Sequence, residues 1–170
     1  SLLLIVRLLV VIPLLLPVMK LLFCPQSAVV ECLIRITNDE LSLQEIMSEL
    51  EDNSAGAVSI FMGNVRNHGK HGNVLEIYYE AYREMAEVKM REIENEAQTK
   101  WNIKKLVTIH RIGSLKVGET SIIIGVCSEH RNEAFEACKY IINNVKTRVP
   151  IWKKEISVES QKWSDGILLG

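Results

Sequence analysis

One continuous stretch, residues 120–159, dictates most of what this chain can become. "TSIIIGVCSE" is a β-branched run long enough for a central strand. "HRNEAFEACKYIINNVK" follows at once as a long helix, and its Phe135, Cys138, Ile141, Ile142 and Val145 are expected to form the core stripe. Pro150 ends that helix, because proline lacks an amide donor and disfavours helix in the residue before it. "IWKKEISVE" then alternates as a last strand. Such a succession needs a sheet to take the strands and a helix laid on its face.

The segments upstream extend this pattern. "VVECLIRI" reads as a strand. Ser42, with Glu45 three residues on, reads as the capping box of a helix whose Leu43, Ile46, Met47 and Leu50 share one face. "GAVSIFMGNVRN" is a strand that runs into the loop "HGKHGN", and "VLEIYYEAY" alternates as another. Over residues 83–101 the apolar positions Met85, Val88, Ile93 and Ala97 recur at helical spacing. "KKLVTIHRIGSLKVGE" gives a strand and then a turn with Gly113 and Gly118; its "HRIG" reads as a structural strand end. The reading is one α+β domain over residues 29–170, a largely antiparallel sheet with two long helices.

The first 23 residues are almost wholly apolar but interrupted by Arg7, Pro13, Pro17 and Lys20. The charge-free run 8–19 falls short of the ~20 residues a spanning helix needs, so a membrane span is not expected. No small-residue cleavage site precedes Cys24, and "MKLL" at Met19 resembles a start. Residues 1–28 are therefore set apart as an apolar N-terminal extension, with an extended reading frame, an anchor and a partner-packing segment all left open. The four cysteines, Cys24, Cys32, Cys127 and Cys138, show no metal-ligand spacing and read as buried free thiols.

The charges sum to −1, which argues against the broad positive field of a nucleic-acid binder. Against that neutral background, "VKTRVPIWKKE" gathers Lys146, Arg148, Lys153 and Lys154 around Pro150 and Trp152. Such a cationic knot points to a local anion. A lysine partly removed from water can carry a proton or stabilise developing negative charge. The alternatives are a lysine favoured by the helix C-terminus, for Lys146, and a solvated edge strand, for Lys153 and Lys154. His130 and Arg131 begin the long helix, where free N–H groups and a guanidinium suit a phosphate, or where Arg131 pairs with a surface carboxylate. His68 and His71 lack a third ligand, so no metal is expected. Trp101, Trp152 and Trp163 read as core or interface anchors. No P-loop, dinucleotide fingerprint or Ser-His-Asp order is present. A non-catalytic module that holds a protein tail or a nucleotide in the same cationic pocket is the rival reading.

"FMGNVRNH", "YYEAYREMAE", "TIHRIGSLKVGE", "VCSEHRNEAFEAC" and "VKTRVPIWKKE", in this order, resemble the large, catalytic subunit of molybdopterin synthase. The similarity spans residues 29–163. The resemblance implies an α/β hammerhead-type fold and a central homodimer. It also implies a small ubiquitin-like sulfur-carrier subunit at each end, giving a cytoplasmic heterotetramer. The reaction implied is sulfur transfer from the carrier's C-terminal thiocarboxylate to cyclic pyranopterin monophosphate, without metal or other cofactor. Carried over residue by residue, Lys146 and Lys153 are the catalytic positions. Asn64, Val65, Arg66, His130, Arg131, Lys153, Lys154 and Glu155 are the substrate-binding ones. The closing "SDGILLG" carries no basic residue, so the resemblance leaves the phosphate to Arg66, His130 and Arg131.

Overall fold

The computed structural model describes residues 30–69, 72–157 and 161–163. The apolar extension, Cys24 and His71 lie outside the described residues. The expected central strand is β8 (Thr120–Ser128), buried along nearly its whole length. It lies in a four-stranded sheet with β1 (Glu31–Thr37), β6 (Ile103–Arg111) and β2 (Ala57–Asn64), in the order β1-β6-β8-β2. Both faces of this sheet are covered, which is why the middle of β8, residues 122–127, is apolar rather than alternating. β1 runs parallel to β6, while β8 is antiparallel to both β6 and β2.

One face carries the two long helices. On α2 (Arg83–Lys100) the buried residues are Ala86, Met90, Ile93, Glu94 and Ala97. On α3 (Arg131–Arg148) they are Ala134, Ala137, Cys138, Ile141, Ile142 and Val145. Together with Leu106, Ile122, Ile124 and Val126 of the sheet they form the main core. Three expected core residues fall outside it: Met85, Val88 and Phe135 are all exposed. Val88 is about 140° around the helix from Ile93, and Phe135 about 100° from Ala134, so neither shares the buried strip.

The other face is covered by the short α1 (Leu43–Glu49), which Ser42 caps by accepting from the Glu45 amide at 3.3 Å. Glu45 does not complete the box; its carboxylate takes Arg35 at 2.9 Å. Ile46 and Leu50 pack on Val107, Ile109, Ile123 and Cys127, whereas Leu43 and Met47 stay exposed. Leu50 fits because Gly125 has no side chain; a Cβ there would strike it. Cys32, Cys127 and Cys138 are free thiols, the last two buried.

A second, wholly antiparallel sheet has the order β10 (Gln161–Trp163), β9 (Ile151–Ile156), β5 (Glu76–Ala81), β7 (Gly113–Lys116). The sequence suggested one sheet, but the chain crosses between two. After β6 it passes Ile112 and turns at Gly113, whose φ of 91° favours glycine, to enter β7. After α3 it turns through Val149 and Pro150 into β9. The hairpin of β3 (His68–Gly69) and β4 (Gly72–Asn73) lies between β2 and β5 in the chain. Among the described residues no helix is long and apolar enough to cross a membrane.

Candidate active site

Where the two sheets meet, the structure leaves a cavity of about 620 Å³. The crossings explain its walls. The end of β2 supplies Phe61 to Asn64, the end of β6 supplies His110, and the start of β8 supplies Ser121 and Ile122. The last turns of α3 add Ile142, Val145 and Lys146; across Pro150, β9 adds Ile151, Trp152, Lys153 and Glu155. Ile77 and Tyr79 of β5, with Arg66 and His68, complete the lining. The register of β2 against β8 shifts between Gly63 and Asn64, an irregularity of the kind that re-aims side chains beside a site.

Lys146 and Lys153 thus face one hollow, brought together by the proline corner. The Lys146 ammonium lies 5.6 Å from the centroid of the Phe61 ring, a cation–π contact that leaves its donors free for a ligand. Lys153 Nζ is 3.1 Å from Glu155 Oε1, and the Glu155 side chain is nearly buried. The β3 strand closes over that carboxylate at Gly69, where a Cβ would collide with it. Removing the lysine would leave Glu155 charged and unmatched, the expensive half of a buried pair. Burial also holds the His110 imidazole down at about 4, hence neutral, and pushes the Tyr79 hydroxyl up.

Asn64 and Arg66 line the cavity as expected, Asn64 Oδ1 accepting from the Thr120 hydroxyl at 2.9 Å. The side chain of Val65 does not; it is buried with Val74, Ile77 and Leu115. Lys154 is outside the lining too, on the opposite side of β9 from the ion-paired Lys153 and Glu155. Arg148 is turned toward α2, where it grips Glu96 through two 2.7 Å bonds. Of the four cations around the proline corner, two reach the hollow.

His130 and Arg131 are exposed at the N-terminal end of α3. At a rise of about 1.5 Å per residue, Arg131 and Lys146 are about 22 Å apart along α3. Within one chain the imidazole–guanidinium pair therefore does not join the lysines. Sequence reasoning passed over His110, Tyr79 and Ser121. The available signal was a histidine inside an otherwise β-branched run, a polar group that a central strand buries only with a partner or a task. His68 lines the cavity, and among the described residues no three metal-ligating side chains gather.

The lining supplies donors and positive charge from two lysines and an arginine, a set suited to offsetting the charge of anionic reactants. A family profile described as MoaE protein matches residues 36–148. The molybdopterin synthase catalytic subunit of Pyrococcus abyssi is 41% identical over 128 residues, covering 75% of this chain and 86% of that protein. That of Homo sapiens is 42% identical over 130 residues, covering 76% of this chain and 69% of the human one. Among solved structures, molybdopterin synthase from Staphylococcus aureus superposes with a TM-score of 0.73 at 35% identity, covering 76% of this chain and 95% of that one. A profile spanning the helices and most of the cavity wall, joined to relatives of this identity and coverage, places the chain in the MoaE family, the catalytic subunits of molybdopterin synthase.

Proposed function

We propose that this chain transfers sulfur from the C-terminal thiocarboxylate of a small ubiquitin-like carrier to cyclic pyranopterin monophosphate, building the dithiolene of molybdopterin in the cytoplasm. The observation that carries this reading is the placement of Lys146 and Lys153 on one cavity, from a helix end and a strand joined by Pro150. The two reactants are both anions. At 4 Å, like unit charges repel by about 4 kcal/mol in surroundings of intermediate polarity, so the site has to offset them. Lys146 neutralises the thiocarboxylate and assists proton transfer as sulfur attacks the pterin side chain. Lys153, held by Glu155, orients the substrate and stabilises its developing oxyanion. Asn64 and Arg66 bind from the β2 side, with Val65 holding that turn from below and Lys154 at its margin.

We assign the phosphate to Arg66 with His130 and Arg131, the last two reaching the cavity from a second copy; their distance from Lys146 along α3 in their own chain supports this reading. β2 supports this reading. Among the described residues it is an edge strand of eight residues without a charge or a proline, and Val58 and Met62 on it are exposed. Such an edge ordinarily finds a partner. Antiparallel pairing of two β2 edges about a two-fold axis sets the start of one, beside its own His130, against the cavity end of the other. The carrier is supported by the likeness, at 20% identity and a TM-score of 0.65, to a chain in the Helicobacter pylori complex of subunits 1 and 2 of molybdopterin-converting factor, which by itself speaks for the fold.

The test is reconstitution. Purified chain, thiocarboxylated carrier and precursor, with no added metal or nucleotide, are expected to yield molybdopterin. A carrier ending in an ordinary carboxylate is expected to yield none. Tight carrier binding without product would support the non-catalytic module instead.

A further inference from the structure

The hydrogen-bonding capacity of the cavity is lopsided. Lys146, Lys153 and Arg66 can only donate. Glu155 Oε1 is tied to Lys153, Asn64 Oδ1 accepts from Thr120, and the Ser121 hydroxyl spends its proton on the Gly63 carbonyl at 2.9 Å. A heterocycle with ring N–H and amino groups needs an acceptor as well as donors.

His110 supplies a buried, uncharged acceptor in the wall, where His68 of the lining is exposed. Its ring stands edge-on to Tyr79 with centroids 5.2 Å apart, and it is only 6% exposed. Nδ1 lies 2.8 Å from the Arg111 carbonyl oxygen. A carbonyl oxygen only accepts, so Nδ1 carries the proton and Nε2 is left with a lone pair. Nε2 has no protein partner among the described residues, and the ring forms part of the cavity wall. A carboxylate at this position would accept equally well, but it would repel anionic reactants and compete for the lysines. A neutral imidazole accepts without adding charge.

We infer that His110 is a substrate-recognition residue, its Nε2 accepting a hydrogen bond from an N–H of the heterocycle. The inference rests on the sulfur-transfer reading of this cavity and adds to it the group that reads the ring rather than the phosphate. The Nδ1–H bond to Arg111 fixes the tautomer and ring orientation, and Tyr79 backs the ring.

The test separates support of the fold from contact with the ligand. His110→Asn keeps an amide N–H near the Nδ1 position and deletes Nε2; His110→Gln restores a polar group near Nε2. His110→Asn is expected to raise KM for the pterin about tenfold, as loss of one hydrogen bond does, with kcat and KM for the carrier changed far less. His110→Gln is expected to recover part of that loss. A His110→Asn variant that folds and keeps wild-type KM for the pterin overturns the inference. Should the variants not fold, imidazole 15N resonances of the wild-type chain decide. Saturating pterin is expected to move the unprotonated Nε2 signal upfield and leave Nδ1 nearly in place; an unmoved Nε2 overturns the inference. Failure here with normal turnover leaves the sulfur-transfer reading standing. A wild-type chain that neither binds nor converts the pterin brings down both.

Discussion

Helix α3 separates two regions that treat similar side chains in opposite ways. On its sheet-seam side, Ile142, Val145 and Lys146 face a cavity. On its α2 side, Arg148 closes a bidentate pair with Glu96, which also accepts from the Tyr140 hydroxyl at 2.6 Å. These bonds hold the Glu96 carboxyl down at about 2. Two cations two residues apart thus differ in that one has its partners built in and the other does not. The same contrast holds for buried titratable groups. His110 is neutral and open to the cavity, while Glu94, also pushed toward its neutral form, is sealed beneath α2 near Cys32 and Thr108. Charge and burial mark a residue as unusual; an unfilled hollow beside it distinguishes chemistry from architecture.

The largest effect is expected on the seam side. Lys146→Ala should lower product formation by about a thousandfold, the scale of losing a charge-stabilising donor, with little change in melting temperature. A fall in stability matching the fall in activity would erase the distinction between the two sides.

On the α2 side the next largest effect is one of stability against pH. Burial raises the Glu94 carboxyl from 4.5 to about 7, with weaker lowering influences from Thr108, Cys32 and Arg91. Over that window the folded chain keeps a proton that the unfolded chain has released. Stability is therefore greatest below the unfolded value, falls as pH climbs toward 7, and stays reduced above it. Glu94→Gln should flatten this dependence and raise stability at pH 8 by about 3 kcal/mol, read from denaturant melts across pH. A variant with the wild-type pH profile would show that Glu94 is not the group responsible.

A third prediction tests the far end of the same helix. Arg131→Ala should raise KM for the pterin at least about tenfold. Mixing inactive Lys146→Ala chains with Arg131→Ala chains should restore part of the activity, since one pocket of each mixed dimer is then intact. No recovery on mixing would mean that the guanidinium serves its own chain or none. The smallest effect belongs to Arg148→Ala, which should cost about 1 kcal/mol of stability, as partly exposed ion pairs do, and leave turnover unchanged.

Much of this was legible in the sequence. The β-branched run of β8, the helix before Pro150 and the Ser42 cap are local signals, and each element formed where its residues asked for it. Faces were less legible. Phe135 and Val88 fit a loose helical pattern but lie off the buried strip, because packing selects one strip among several that spacing allows. The division into two sheets was hidden, since it depends on which strands pair across long separations rather than on the strands themselves. For the site, the cations around Pro150 were visible as a cluster, but their sorting was not. Arg148 finds Glu96 on another helix and Lys154 faces away from the hollow, both consequences of tertiary placement. His110 was passed over because its strand looked structural, and its importance comes from Ser121, Tyr79 and Lys146, which arrive from three other elements.

The measurement closest to the central claim is a crystal structure of this chain with the pterin precursor and a carrier ending in an unreactive carboxylate. The account predicts the carrier tail threaded into the seam cavity, with its terminal carboxylate and the pterin side chain both within hydrogen-bonding or ion-pairing distance of Lys146 and Lys153. A tail that ends elsewhere, such as in the groove lined by Trp101, Lys104 and Lys105, with the seam cavity holding neither reactant, would contradict it.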